Sequence, residues 1–306
     1  MTRPGSTLAR LQQASTFLLA AFGIGWLAWY RDRSPAFALA GLALVPVVYC
    51  SFIALELIAM RCVSRRDPTP RASWRALARA CLAEGLQGVR VFCWRQPFRW
   101  SAVADRTSTD GRFHGKRGVV FIPGFICNRG FWNPWLKKLE AADRPFAALN
   151  LEPVFGSIDD YIPLVEEAVA AVTAASGMAP ILVCHSMGGL AARAWLRDGR
   201  GAARIHHVIT IGTPHRGTWL ASFSSTRNGR QMAPGNDWLR ELEVALARHL
   251  QPAFSCFYSN CDNVVFPPST ATLPGADNRF VAGRAHVELA FRPEVIAASL
   301  ALLDAR

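Results

Sequence analysis

Pro180-Ile-Leu-Val-Cys184-His185-Ser186-Met187-Gly188-Gly189, followed at once by Leu190-Ala-Ala-Arg-Ala-Trp-Leu196, decides how this chain folds. An apolar run of strand length meets a turn of small residues, and a helix-forming stretch continues from it. A strand that turns sharply into a helix leaves the turn residue in a strained backbone conformation with its side chain exposed, which is how a serine nucleophile is presented. Ser186 occupies that turn. The helix backbone passes close to the strand there, and Gly188 and Gly189 supply the room. An S-x-G-G tetrad by itself occurs often by chance; the strand before it, His185 and the helix after it give it meaning.

Outward from the turn, the punctuation is that of alternating strand and helix. Gly118–Pro123 and Pro145–Asn150 read as strands, and Ser157–Ala175 as a helix capped by Ser157 with Asp159 and Asp160 in its first turn. After the nucleophile helix come a strand at Ile205–Ile211, a long irregular insertion, strands at Phe254–Ser259 and Arg279–Ala282, and a closing helix from Pro293. No internal repeat is apparent. The order implies an α/β domain with a mostly parallel, doubly wound sheet and its ligand site at the carboxyl ends of the strands.

Most of residues 115–305 resembles the bacterial lipases and esterases of the α/β-hydrolase superfamily. The turn resembles their G-H-S-M-G-G elbow, with Cys184 where that pattern has Gly; Ile211-Gly-Thr-Pro-His-Arg-Gly-Thr218 resembles their G-T-P-H-x-G turn; and Ser157-Ile-Asp-Asp-Tyr161 leads into the helix before the elbow. The resemblance implies an α/β-hydrolase fold with a small cap and the chain order serine, acid, histidine. A serine hydroxyl needs a base to become nucleophilic, and the base needs an acid to hold its tautomer. His286 is the only histidine after the last strands and stands where lipases place their base; His114, His185, His206, His207, His215 and His249 all precede it. Asp262, opening a D-x-x-V-x-P stretch, is the expected acid; Asp277 is the second candidate and reads otherwise as a turn-forming residue. The oxyanion requires two backbone donors. One is expected from Met187, and by resemblance the other from Phe125 in Pro123-Gly124-Phe125, where Pro123 replaces the usual His. Trp219, Leu220 and Phe223, in an expected cap over residues 215–250, are candidates to bind substrate or to pack the cap itself.

Before this domain, residues 14–30 carry no charge and residues 36–60 carry only Glu56. At 1.5 Å per residue they cover roughly 25 and 37 Å, against a ~30 Å hydrocarbon core. Two spans follow as the expectation, forming a membrane anchor over residues 1–70 ahead of a catalytic domain over 71–306. A cleaved signal peptide fits less well, because no small-x-small site precedes Arg31 and a longer apolar run follows immediately. Trp26, Trp29 and Tyr30 suit an interface. Arg3 and Arg10 precede the hairpin and six arginines follow it between Arg61 and Arg79, which predicts both termini and the catalytic domain on the cytoplasmic face of a bacterial inner membrane. Glu56, about a turn from that end, is expected to be tolerated by snorkelling. Trp74, Leu77, Ala78, Cys81 and Leu82 recur at helical spacing with Arg71, Arg75 and Arg79 on another face, so this helix either lies on anionic headgroups or is an ordinary domain helix.

The net charge of +12 over 306 residues does not mark a nucleic-acid partner: residues 1–79 hold ten Arg against Asp32, Glu56 and Asp67, and no phosphate loop, zinc-finger spacing or RNA-binding aromatic motif is visible. The eight cysteines have no repeating interval and are expected as reduced thiols, although Cys256 and Cys261 are close enough in sequence for a bridge in an oxidising compartment. No cofactor is implied, and no His/Cys/carboxylate cluster has metal-ligand spacing. The leading expectation is a membrane-anchored serine hydrolase of carboxylic, lipid-like acyl esters. An acyltransferase or thioesterase would use the same triad, and a non-catalytic scaffold at the membrane is the reading from a different class.

Overall fold

A computed structural model describes residues 5–199, 201–248 and 252–304; Arg3, His249 and Leu250 lie outside the described residues. The chain opens with α1 (Thr7–Tyr30) and α2 (Pro35–Val63), an antiparallel hairpin. Ser6 and Ser34 cap the two helices, and Pro35 starts the second at a position where its missing N–H is not needed. Their close approach rests on Gly41, because a Cβ there would fall 1.9 Å from Trp26 Nε1. Both helices are long and apolar enough to cross a membrane. They extend beyond the expected spans, at Thr7 and at Val63, because their polar ends dock on the rest of the protein.

Next come α3 (Trp74–Arg90), a π-turn at Val91–Arg95 and the short α4 (Gln96–Phe98). The buried stripe of α3 is Leu77, Ala80, Glu84, Gly85 and Gly88. Trp74 and Leu82, expected on its apolar face, are 63% and 70% exposed. The reason is steric: α2 lies against the small residues, with Cys50 and Ile53 facing Gly85 and Tyr49 facing Gly88, which turns the large apolar side chains outward.

The α/β domain follows as β1 (Val119–Ile122), α5 (Asn133–Ala141), β2 (Phe146–Ala148), α6 (Ile162–Ser176), β3 (Ile181–His185), α7 (Met187–Leu196), β4 (His207–Ile211), α8 (Arg227–Gln231), α9 (Asp237–Arg248), β5 (Ala253–Tyr258), β6 (Asp277–Phe280), α10 (His286–Leu289) and α11 (Pro293–Leu300). The six strands run in the order β2-β1-β3-β4-β5-β6, every neighbouring pair parallel. Helices cover both faces, so the central strands are continuous apolar runs. One face packs Val120, Ile122, Leu182 and Val208 under α6 and α7; the other packs Phe121, Val183 and Ile209 under α11 and α5, which contributes Trp135. The segment expected to be an irregular insertion contains a 3₁₀ turn at Trp219–Phe223 and then α8 and α9. Cys256 and Cys261 are free thiols, as are the other six cysteines.

A third apolar cluster joins the hairpin to this domain. Ile53, Leu57 and Met60 of α2 pack with Leu77 and Ala80 of α3 and with Cys261, Phe266 and Ala285 of the α/β domain. The boundary expected near residue 70 therefore crosses a shared core.

Candidate active site

Ser186 sits between β3 and α7 with φ 52° and ψ −128°, a conformation that costs on the order of 1–3 kcal/mol for a non-glycine residue and persists only where its surroundings enforce it. They do so here. Its N–H donates to the Ile211 carbonyl at 2.9 Å, and its own carbonyl accepts from Thr213 Oγ1 at 2.8 Å. α7 leaves the strand so closely that a Cβ on Gly188 would lie 2.4 Å from the Ile122 carbonyl oxygen. Cys184 is buried among Val120, Leu190 and Leu196, so its thiol fills core space; burial pushes its ionisation up, and it packs as a small hydrophobe.

Asp262 and His286 meet in the loops that follow β5 and β6. His286 Nδ1 donates to Asp262 Oδ2 at 2.9 Å, and both residues are buried. Since the carboxylate can only accept, the imidazole proton is on Nδ1 and Nε2 carries the lone pair. Asp262 Oδ1 accepts from the N–H groups of Val264 and Val265 at 2.9 and 2.7 Å, which fixes the carboxylate plane. The pair fits because residue 212 is glycine at φ +58°: a Cβ there would come within 3.0 Å of Asp262 Oδ2 and 3.1 Å of His286 Nδ1. Burial alone would push the imidazole pKa down, but the charge and hydrogen bond of Asp262, with Glu84 and Glu56 farther out, hold it above its usual 6.5. Asp277 is elsewhere, an exposed residue on β6 engaged with Arg279 at 2.6 Å and Ser255 at 3.2 Å.

His185 stacks on Phe131 with centroids 4.5 Å apart and hydrogen-bonds the His286 carbonyl through Nε2 at 3.2 Å. A carbonyl only accepts, so Nε2 carries the proton, and burial drives the pKa of this ring well down. It is a neutral brace beside His286.

The Pro123-Gly124-Phe125 loop lies over the elbow: a Cβ on Gly124 would be 2.9 Å from Ser186 Cβ. The loop that carries Phe125 and the start of α7 at Met187 thus both adjoin Ser186. The loop is held from outside the sheet. Gln96 Oε1 accepts from Asn128 N–H at 3.2 Å, Asn128 Nδ2 donates to the Gln96 carbonyl at 3.0 Å, and Gln12 of α1 donates to Gln96 Oε1 at 3.1 Å. The Phe125 ring meets Phe155 edge-on at 5.9 Å.

In the cap segment, Trp219 stacks on Phe266 at 5.8 Å and contacts Phe223 at 4.7 Å; Trp219 and Leu220 pack partly buried against the cluster shared with α2, and Phe223 is 71% exposed. Thr218 Oγ1 donates to the Val264 carbonyl at 2.6 Å, tying this segment to the loop that carries Asp262.

Three neighbours of His286 are not obvious from the sequence motifs. Asn263 Oδ1 accepts from His286 N–H at 3.2 Å, and Asn263 Nδ2 donates to Glu56 Oε2 at 2.7 Å. Glu56, expected to be tolerated by snorkelling, is thus hydrogen-bonded to the residue after Asp262. Glu84 accepts from the N–H groups of Val287 and Glu288. In the structure Leu77, Ala80, Glu84 and Gly88 form a buried i, i+3, i+4 stripe, so this carboxylate must have a partner there. Among the described residues no group of three or more His, Cys, Asp or Glu side chains could hold a metal ion.

These elements, a parallel sheet with a strained serine after its third strand and an acid–histidine pair after its last two, define an α/β-hydrolase fold. Solved structures share it. A Bacillus licheniformis lipase in its mature form superposes at TM-score 0.55 with 18% identity, covering 62% of this chain and 92% of that one. An Aspergillus fumigatus lipase superposes at 0.50 with 19% identity, covering 61% of this chain and 52% of that one. At such identities the likeness is one of fold. No protein-family model and no curated protein matches the sequence.

Proposed function

We propose that the protein is a membrane-anchored serine hydrolase that cleaves carboxylic esters with lipid-like acyl groups. The observation that carries this reading is the strained Ser186 together with the 2.9 Å His286–Asp262 pair, in the chain order expected of the fold. In the first half-reaction His286 Nε2 takes the Ser186 hydroxyl proton as Oγ attacks the ester carbonyl carbon. The amides of Phe125 and Met187 hold the oxyanion. The tetrahedral adduct then expels the alcohol, which leaves with the proton from His286, and an acyl-Ser186 ester remains. Water, deprotonated by His286, attacks that ester and releases the carboxylic acid and free serine.

Lipid-like substrates and the membrane location are supported by the hairpin. From Phe17, which packs on Phe98 at 5.6 Å, to Tyr30 the first helix runs only about 20 Å, short of a ~30 Å hydrocarbon core. A hairpin that crosses therefore takes the adjoining flank of the catalytic domain into the bilayer with it. That flank is α3 and the turn after it, where Leu82, Leu86, Val89 and Trp94 are exposed. The arginine distribution supports a catalytic domain on the cytoplasmic side. Trp219, Leu220 and Phe223 would then lie next to the lipid-facing helices, as the acyl-binding side of the site.

Turnover of p-nitrophenyl esters from short to long acyl chains by the detergent-solubilised protein tests the reading. Wild type is expected to be active, with Ser186→Ala and His286→Ala each reduced at least ~10⁴-fold while folding is retained. Unchanged turnover in either variant contradicts the assignment.

A further inference from the structure

The base is held at three consecutive peptide nitrogens by side chains, and two of the anchoring carboxylates come from helices that precede the lipase-like region. His286 N–H donates to Asn263 Oδ1, which is itself fixed by Glu56 of α2 at 2.7 Å. Val287 N–H donates to both oxygens of Glu84 on α3, at 2.9 and 3.1 Å, and Glu288 N–H donates to Glu84 Oε2 at 3.0 Å. Glu84 is 4% exposed.

We propose that Glu84 and Glu56 are positioning residues for the general base, carboxylates through which the N-terminal helices fix the His286 backbone and become part of the catalytic unit. This rests on Ser186, His286 and Asp262 acting as the triad.

A buried carboxylate is a costly way to cap a four-residue helix when a hydroxyl or amide would serve. Its charge gives it a second effect. Glu84 lies close enough to bias the imidazole, and it acts with Asp262 on the β5 loop and Glu56 on α2, while the remaining neighbour from β3, His185, is neutral. Glu84 is itself faced by Tyr49 of α2, Cys81 of its own helix, and Asp262 and His286. The nearby arginines do not neutralise it: Arg284, Arg292 and Arg79 engage Glu288 at 3.1, 3.6 and 3.8 Å. Glu84 thus steers the peptide that carries the base and supports the imidazolium formed during proton transfer. Burial raises its own pKa to about 7, against the pull of the Val287 and Glu288 N–H groups.

The test uses the full-length protein in detergent with a short, soluble p-nitrophenyl ester, and Ser186→Ala measured alongside. Glu84→Gln keeps the shape but offers one oxygen where two are used. It is expected to lower kcat about tenfold or more with KM changed less than about twofold, and to move the acid limb of the kcat/KM pH profile to lower pH by about half a unit or more. Glu84→Asp, which keeps the charge, restores the limb toward wild type. Glu56→Leu lowers kcat in the same way, and Glu56→Gln, still an acceptor for Asn263, loses less. Wild-type kcat and an unmoved limb in Glu84→Gln and Glu56→Leu, in a preparation where Ser186→Ala is inactive, overturn the proposal and leave the triad standing. A drop in kcat that tracks a lowered Tm with the limb unmoved makes Glu84 a structural cap and also overturns it. Turnover persisting in Ser186→Ala removes the triad and the proposal together.

Discussion

At the scale of single residues, the site is a set of side chains whose protonation is dictated by what each neighbour can accept. Asp262 accepts two backbone N–H bonds and the Nδ1 proton, so His286 offers its lone pair at Nε2. A base works only when neutral, and the carboxylates around it hold its pKa above 6.5. The acid limb of kcat/KM is therefore expected above pH 6.5, with activity falling as pH drops through it. In Asp262→Asn the imidazolium loses its main support, so the limb moves to lower pH, and the plateau falls about 10⁴-fold because the amide no longer dictates the tautomer. A pH–rate series on both proteins checks the direction and the size. A limb that stays in place means that Asp262 does not face the base.

The elements divide by how much of their environment is local. The strand, serine and glycines of the elbow were legible because they are contiguous in the chain, whereas the close partner of Gly188, the Ile122 carbonyl of β1, was not. Chain order within the resemblance singled out Asp262 and His286, which the fold brings into contact. The outward turn of α3 was not, because Trp74 and Leu82 read as core until α2 occupies the small-residue face. β6 was shifted from its expected range because its residues are mostly exposed at the sheet edge and carry no burial pattern. The clamp on the oxyanion loop was invisible for a similar reason, since Gln12, Gln96 and Asn128 come from three separate segments. Gln96→Ala leaves the buried Asn128 N–H without its acceptor, at a cost of about 1–3 kcal/mol. It is expected to lower Tm and to cut kcat about tenfold by loosening the Phe125 amide. Thermal melts and steady-state kinetics on the same preparation measure both, and an unchanged kcat would mean that the loop is held without Gln96.

At the scale of the whole molecule, the hairpin is built into the α/β domain. Its second helix shares a core with Cys261, Phe266 and Ala285, which flank Asp262 and precede His286 in the chain. Charge counting and span length gave the hairpin; that shared core depends on contacts between α2 and loops some 200 residues away, which no local pattern encodes. If the flank of α3 enters the bilayer, Leu82→Asp/Leu86→Asp is expected to raise KM about tenfold for an ester embedded in phosphatidylcholine vesicles and to leave a soluble ester unaffected. Equal kinetics on both substrates would place that flank in water. The central claim, that Ser186 is an activated nucleophile, is tested most directly by fluorophosphonate labelling of the full-length protein beside Ser186→Ala. Covalent labelling of wild type at Ser186, absent from the variant, is the predicted result; well-folded wild type that takes up no label would contradict it.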